Sequence, residues 1–204
     1  MPAIGITGGI STGKTSFCHA LHAIIPTAKF FDADQAAQEL ADRDPKVKQE
    51  ILAEFGVEVF SASGDLNREK LRAIVFGSAA KKRALEQILH PRIRRQWSAE
   101  AEKHRNTPNF FFADIPLLYE TGAETLCDRV VVVACSARSQ LRWLMERASI
   151  DSAAAQQMIN SQMPLEEKIK RADHVVWNSG DLATLAAQAS LLIGLWQNQS
   201  WTKS

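Results

Sequence analysis

Ala3-Ile4-Gly5-Ile6-Thr7-Gly8-Gly9-Ile10-Ser11-Thr12-Gly13-Lys14-Thr15-Ser16 decides how the rest of the chain is read. Its portion from Gly8 to Thr15 matches G-x-x-x-x-G-K-[ST], a loop whose backbone N–H groups cradle phosphate. Ahead of it, Ala3 to Thr7 has the apolar character of a short buried strand. Behind it, Phe17, Ala20, Leu21 and Ile24 recur at the spacing of one helix face. Strand, loop and helix therefore stand in the order such a loop requires. Glycine admits positive φ and a close backbone approach, so the amides of Gly9, Ile10, Ser11, Thr12, Gly13 and those that follow can turn toward one anion. The next helix presents its positive dipole end to the same place. Lys14 is placed to reach β- and γ-phosphates, and the Thr15 hydroxyl to be one ligand of a Mg²⁺ ion bridging them. ATP and Mg²⁺ are the expected cofactors.

Working outward, further apolar runs read as buried parallel strands at Lys29 to Asp32, Phe110 to Asp114, Arg129 to Ala134 and His174 to Trp177. Helical patterns separate them, as in Leu185, Ala189, Leu192, Ile193 and Trp196, with Asp181 as N-cap. The alternation predicts an α/β fold with a five-stranded parallel sheet wrapped by helices. Spacing along the chain is uneven. The long interval between the second and third strands exceeds one crossover helix, so an insertion is expected there. It carries one stripe of Val47, Ile51, Leu52 and Phe55 and another of Leu71, Ile74 and Val75, with Gly64-Asp65 as the turn between them. Ala137 to Arg171 is a second excursion bearing Arg138, Arg142, Arg147, Lys168, Lys170 and Arg171, a lid-like pattern. The expected division is one domain over 1–204: a core of 1–36, 78–136 and 172–204, a helical acceptor subdomain of 37–77 and a lid of 137–171.

Two acids follow the second strand. In an extended chain the carboxylates of Asp32 and Asp34 leave the same face, at the carboxyl end of the sheet where ligands collect. One suits proton abstraction from an attacking hydroxyl and the other the ordering of Mg²⁺, the alternative being that a strand-end aspartate is also a common helix cap. Asp114 closes an apolar strand, where it either supports Mg²⁺ or is a satisfied buried carboxylate. Pro116 to Glu120 forms the loop beyond it. Arg147 and Arg142 offer the cationic charge that phosphoryl transfer needs, against the plainer reading of a solvated helix face. His90-Pro91 is expected to end a helix.

Among 204 residues, 24 Lys and Arg stand against 23 Asp and Glu, so no global field gathers nucleic acid or anionic membrane. Hydrophobic content of 46% and charged content of 23% are those of a globular protein. Cys18, Cys127 and Cys135 are scattered, which argues against a disulfide framework or a zinc site. Trp97, Trp143, Trp177, Trp196 and Trp201 do not interleave with basic residues and read as apolar packing or surface groups. No secretory leader is visible, a cytoplasmic setting is expected, and residues from Gln197 onward read as a frayed polar end.

Several segments together resemble dephospho-CoA kinases. They are Ile6 to Ile10 running into Gly13-Lys14-Thr15; Asp32-Ala33-Asp34; Gly64-Asp65-Leu66-Asn67-Arg68 with Leu71 and Val75-Phe76; His90-Pro91-Arg92-Ile93-Arg94; Pro116-Leu117-Leu118-Tyr119-Glu120; Gln140 with Arg147; Gln162; and Ala172-Asp173 leading to Asn178-Ser179-Gly180. The resemblance implies a P-loop NTPase fold of the nucleoside-monophosphate-kinase type, with a helical substrate-binding insertion and a lid. It implies transfer of the γ-phosphoryl group of ATP to the ribose 3′-hydroxyl of dephospho-CoA, with Asp34 as base and Lys14 and Arg147 stabilising the transferring group. On the same footing, Gly9 to Ser16, Arg142, Arg147 and Asn178 bind nucleotide. Asp34, Asn67, Arg68, His90, Leu118 and Tyr119 border the acceptor, and Thr15, Asp32 and Asp114 serve the metal. The chain departs from the family at Ser11, where a further glycine is usual, and at Trp143, where a second lid arginine is common. A kinase for another small acceptor would share the core, and a GTP-hydrolysing switch is opposed by the missing N-K-x-D segment. An inactive interaction domain would turn over no ATP. Partners other than the small-molecule substrate are not expected, and the oligomeric state is left open.

Overall fold

A computed structural model describes residues 2–105 and 107–198. Five strands form one parallel sheet: β1 Ala3–Gly8, β2 Lys29–Asp32, β3 Phe111–Asp114, β4 Arg129–Ala134 and β5 His174–Trp177, in the order β2-β3-β1-β4-β5. Ala3 pairs with Phe111, Ile4 with Arg129 and Val131 with His174. The interior strands are buried on both faces, which is why their sequences read as unbroken apolar runs. The five expected strands agree with these to within a residue at each end.

By its contacts the chain divides into two compact units, one made of residues up to Phe31 and from Glu100 onward, the other of Asp32–Ala99. In the first, side chains alternate between the two faces of the sheet. Ile4, Ile6, Phe110, Phe112, Val131, Val133 and Val176 share one face with α1 Lys14–Ile24 and α9 Leu182–Gln197. Phe17 and Leu21 from α1, and Leu185, Ala189, Ile193 and Trp196 from α9, complete that core. Ile24, assigned to the same stripe, is 36% exposed at the last turn of α1. On the opposite face a Cβ at Gly5 would come within 2.6 Å of Cys127 Sγ and 3.1 Å of Leu118, so glycine leaves room for those side chains. Asp181 caps α9, accepting from the Thr184 N–H at 2.5 Å, and that bond holds its carboxyl below the usual range. Between β4 and β5 run α6 Ala137–Ala148, α7 Ser152–Asn160 and α8 Leu165–Arg171.

The second unit holds α2 Ala33–Arg43, α3 Pro45–Phe55 and α4 Arg68–Gly77, together with much of α5 Ala79–Arg105. Asp44 and Asn67 cap α3 and α4. Val47, Ile51 and Phe55 are buried as expected, but Leu52 is 44% exposed. Gly64, at φ 82, turns the chain so that Phe60 and Leu66 meet in an antiparallel bridge. The expectation that His90-Pro91 ends a helix is overturned, because α5 continues through Pro91 to Arg105. Beyond the proline Ile93, Trp97 and Ala101 are buried at helical spacing, which favours continuing the helix. Just past the proline the Arg92 guanidinium donates to the Ile88 carbonyl at 2.6 Å. Trp201 and the end beyond Asn198 lie outside the described residues. Among the described residues no helix is long and apolar enough to cross a membrane.

Candidate phosphate-binding site

The loop leaving β1 turns on two left-handed residues, Ser11 at φ 58 and Gly13 at φ 93. Glycine takes that conformation freely, whereas at Ser11 it costs steric strain. Ser11 thus occupies its departure from the family pattern by adopting the glycine-like backbone itself, and its buried Oγ has no hydrogen-bond partner. A Cβ on Gly13 would stand 2.0 Å from Asn178 Nδ2, and one on Gly8 would stand 2.5 Å from the Val133 carbonyl oxygen. The first intrahelical bond of α1 runs from the Phe17 N–H to the Gly13 carbonyl. Lys14, Thr15 and Ser16 therefore bring first-turn amides to the loop end of the helix, beside the positive dipole. Their arrangement suits a polyphosphate.

Lys14 Nζ is hydrogen-bonded to Asp114 Oδ1, each side chain 14% exposed. Asp114 Oδ2 accepts from Cys18 Sγ at 3.5 Å. Asp114 is a partly buried carboxylate beside the loop lysine and Thr15 is exposed in the first turn of α1; carboxylate and hydroxyl oxygens are the donor types that a divalent cation takes. Among the described residues no cluster of three or more His, Cys, Asp or Glu forms an all-protein metal cage.

Polar side chains from the segment between β4 and β5 hold the loop backbone. Gln162 Oε1 accepts from the Ile10 N–H at 3.0 Å, and Gln140 Nε2 donates to the Ile10 carbonyl at 2.9 Å. Asn178 Nδ2, just past β5, donates to the Thr12 carbonyl at 3.1 Å, and Thr12 Oγ1 donates to that of Gly9 at 3.0 Å. The loop is thus fixed from several sides before any ligand arrives.

Lys168 is the functional candidate that sequence reading passed over by counting it only among the basic residues of a lid-like segment. Its side chain is wholly buried, with Nζ 2.9 Å from Glu120 Oε1, 2.9 Å from the Pro116 carbonyl and 3.2 Å from that of Gly8. Burial pushes its pKa down, opposed by the Glu120 carboxylate and reinforced by the nearby charge of Lys14. A signal existed in the sequence: Leu165, Ile169 and Ala172 form an inward stripe on which Lys168 falls at helical spacing. Glu120 also accepts from the Met163 N–H at 2.9 Å.

Other sequence-expected residues have these places. Asp32 ends β2 and caps α2, accepting from the Asp34 and Gln35 N–H groups at 2.8 and 3.0 Å. The expectation that both carboxylates leave one extended face therefore fails: the cap turns the chain into a helix, and Asp34 lies exposed in its first turn. Asn67 accepts from the Lys70 N–H at 3.0 Å, and Arg68 pairs with Asp42 at 2.5 Å. His90 is half-buried in α5, and burial lowers its pKa. Leu118 is fully buried beside Gly5. Tyr119 is 6% exposed, its ring 4.3 Å beneath the Arg171 guanidinium, and burial pushes its phenol up to about 12. Arg142 and Arg147 project from the exposed side of α6, with Arg142 3.9 Å from Glu146, while Trp143 is half-buried.

Comparison with known proteins agrees with this geometry. A profile of the dephospho-CoA kinase family matches residues 2–184. A Bacillus cereus dephospho-CoA kinase is 37% identical over 195 residues, covering 95% of this chain and 96% of the relative. The crystal structure of TT1252 from Thermus thermophilus superposes with a TM-score of 0.77 at 30% identity, covering 98% of each chain. A dephospho-CoA kinase from Campylobacter jejuni gives 0.71 at 26% identity, over 94% of this chain and 95% of that one. Phosphate loop, sheet order and full-length similarity converge: the chain belongs to the dephospho-CoA kinase family.

Proposed function

We propose that this protein transfers the γ-phosphoryl group of ATP to the 3′-hydroxyl of the ribose of dephospho-CoA, giving CoA and ADP, the last step of coenzyme A synthesis, in the cytoplasm. The observation that supports the reading is the phosphate loop, whose left-handed residues Ser11 and Gly13 lead into the first turn of α1 at Lys14, an arrangement suited to one polyphosphate. Gly9 to Ser16 bind the polyphosphate, and Asn178 lies against the adenine. Lys14 and Arg147, with Arg142, offset the charge that spreads over the equatorial oxygens in a loose transition state. Bound Mg²⁺ neutralises phosphate charge, and Thr15, Asp32 and Asp114 are the residues that hold it or its waters.

Asp34 takes the proton from the attacking hydroxyl. Its place in the first turn of α2, preceded by the capping Asp32, fixes its backbone while leaving the side chain exposed. The acceptor is bordered by Asn67, Arg68, His90, Leu118 and Tyr119, with residues 37–77 as its subdomain and 137–171 as a lid that excludes water. The test is direct. Purified protein with ATP, Mg²⁺ and dephospho-CoA releases ADP and phosphorylates the ribose 3′ position, whereas a nucleoside monophosphate offered as acceptor competes poorly. Turnover of the nucleoside monophosphate in preference to dephospho-CoA refutes the acceptor assignment.

A further inference from the structure

We infer that Lys168 is a positioning residue of the phosphate loop, its buried ammonium fixing the carbonyls of Gly8 and Pro116 so that the loop amides are set for a polyphosphate. The inference rests on the nucleotide-binding part of the proposed function and does not depend on the acceptor.

Lysine is almost never fully buried without a partner, because its ammonium loses hydration that a single ion pair rarely restores. Here all three donors of the ammonium are engaged, by Gly8 O at 3.2 Å, Pro116 O at 2.9 Å and Glu120 Oε1 at 2.9 Å. Those acceptors belong to separate pieces of the site. Gly8 is the end of β1 and the root of the loop, and a Cβ there would collide with the Val133 carbonyl oxygen, so its backbone tolerates little displacement. Pro116 follows β3, whose last residue Asp114 holds Lys14, and its carbonyl also accepts from Thr7 Oγ1 at 3.0 Å. Glu120 fastens the start of α8 through the Met163 N–H.

Lys168 thus ties α8 to the roots of both segments that carry Lys14 and Asp114. It acts with Gln140 and Gln162, which hold Ile10 on either side. All three side chains come from residues 137–171, so that segment holds the loop backbone in place. An apolar residue at 168 would fill the space but take the ammonium away from both carbonyls at the root of the loop. Ordering the loop in advance lowers the cost of binding phosphate and adds nothing to the binding of a base and sugar alone.

Lys168→Met alone strands the Glu120 charge, so the decisive variant is Lys168→Met with Glu120→Gln, in which the charge is removed and the new amide oxygen still accepts from the Met163 N–H. Lys170→Met is the control, since Lys170 is exposed two residues along the same helix and pairs with Glu167. Affinities for ATP with Mg²⁺ are measured by calorimetry and for adenosine by saturation-transfer NMR. The double variant loses about tenfold in ATP affinity, adenosine binding is unchanged, and Lys170→Met matches the parent on both. An ATP affinity within about threefold of the parent overturns the inference. Equal losses for ATP and adenosine, or a double variant that does not fold, also overturn it by reducing Lys168 to a support of the fold. A parent that binds ATP but does not phosphorylate dephospho-CoA fails the proposed acceptor and leaves this inference standing.

Discussion

Two left-handed residues lie two positions apart in the loop, and exchanging their character has opposite expected effects. Gly13 sits at φ 93, and a methyl group there meets Asn178 Nδ2 at 2.0 Å. In Gly13→Ala the left-handed backbone costs about 1 to 2 kcal/mol. The Asn178 amide must swing away from the Thr12 carbonyl, which removes a hydrogen bond with a net contribution of about 1 kcal/mol. Alanine restricts the unfolded chain and returns about 0.5 kcal/mol, so the fold loses about 2 kcal/mol. For a chain of this size that lowers the melting temperature by about 4 to 8 °C. Ser11 presents the reverse case, with φ 58 and a buried Oγ that has no partner. Ser11→Gly removes the strain and the unsatisfied hydroxyl at the cost of a more flexible unfolded chain, for a net gain of about 1 kcal/mol. Its melting temperature rises by about 2 to 4 °C. Scanning calorimetry with and without ATP and Mg²⁺ reads both effects, and the nucleotide should stabilise Ser11→Gly while leaving Gly13→Ala nearly unchanged. A Gly13→Ala protein melting at the same temperature as the parent, or both variants shifting in the same direction, refutes the conformational reasoning.

Asp34→Asn should lower turnover by about 10² or more with ATP affinity nearly intact, as expected for loss of a general base; unaltered turnover in steady-state assays moves the role elsewhere, with Asp32 next. Arg147→Ala should reduce kcat by a larger factor than it raises the KM for ATP, because its charge is needed most in the transition state; the opposite ratio makes it a binding group. His174 gives a pH effect. Its Nε2 accepts from Trp196 Nε1 at 3.2 Å, and its pKa is lowered by burial and by Arg129 against an opposing effect of Asp173. The unfolded histidine takes up its proton first, near about pH 6.5, so stability falls as pH drops from there through the lower folded pKa and is insensitive to this group above. Urea midpoints between about pH 5 and 7.5 should show a shallower acid loss in His174→Gln than in the parent; parallel curves exclude the effect.

The strands were legible because each is a short apolar run closed by a polar or turn residue, and burial on both faces leaves no alternation to confuse with a helix. Helix faces were legible in direction but not in width. Ile51 and Leu52 are adjacent and lie about 100° apart around α3; Ile51 is buried and Leu52 is 44% exposed, and apolarity alone did not show where the buried stripe ends. Pro91 misled for a different reason. A local steric rule weighs one lost N–H and a crowded turn, whereas the buried Ile93, Trp97 and Ala101 beyond it bring tertiary burial that outweighs the defect. Asp32 shows a local rule used in the wrong frame, since the alternation argument needs the strand to continue and the aspartate's own capping bonds end it.

The site divides along the same line. Residues recognised by backbone need, the glycines and the lysine of the loop, follow from a contiguous motif, because local sequence dictates their conformation. Residues that hold the loop in place do not, since Gln140, Gln162, Asn178 and Lys168 act on peptides 130 to 166 positions away. Lys168 and Lys170 carry the same charge and are two residues apart, which on a helix sets them about 200° apart. One pairs with Glu167 in solvent and the other is sealed against Gly8 and Pro116. A count of basic residues cannot separate them. The apolar stripe of α8 can, because an ammonium on an inward stripe is unstable without acceptors arranged for it. In this chain those acceptors are the roots of the two strands that carry the phosphate site.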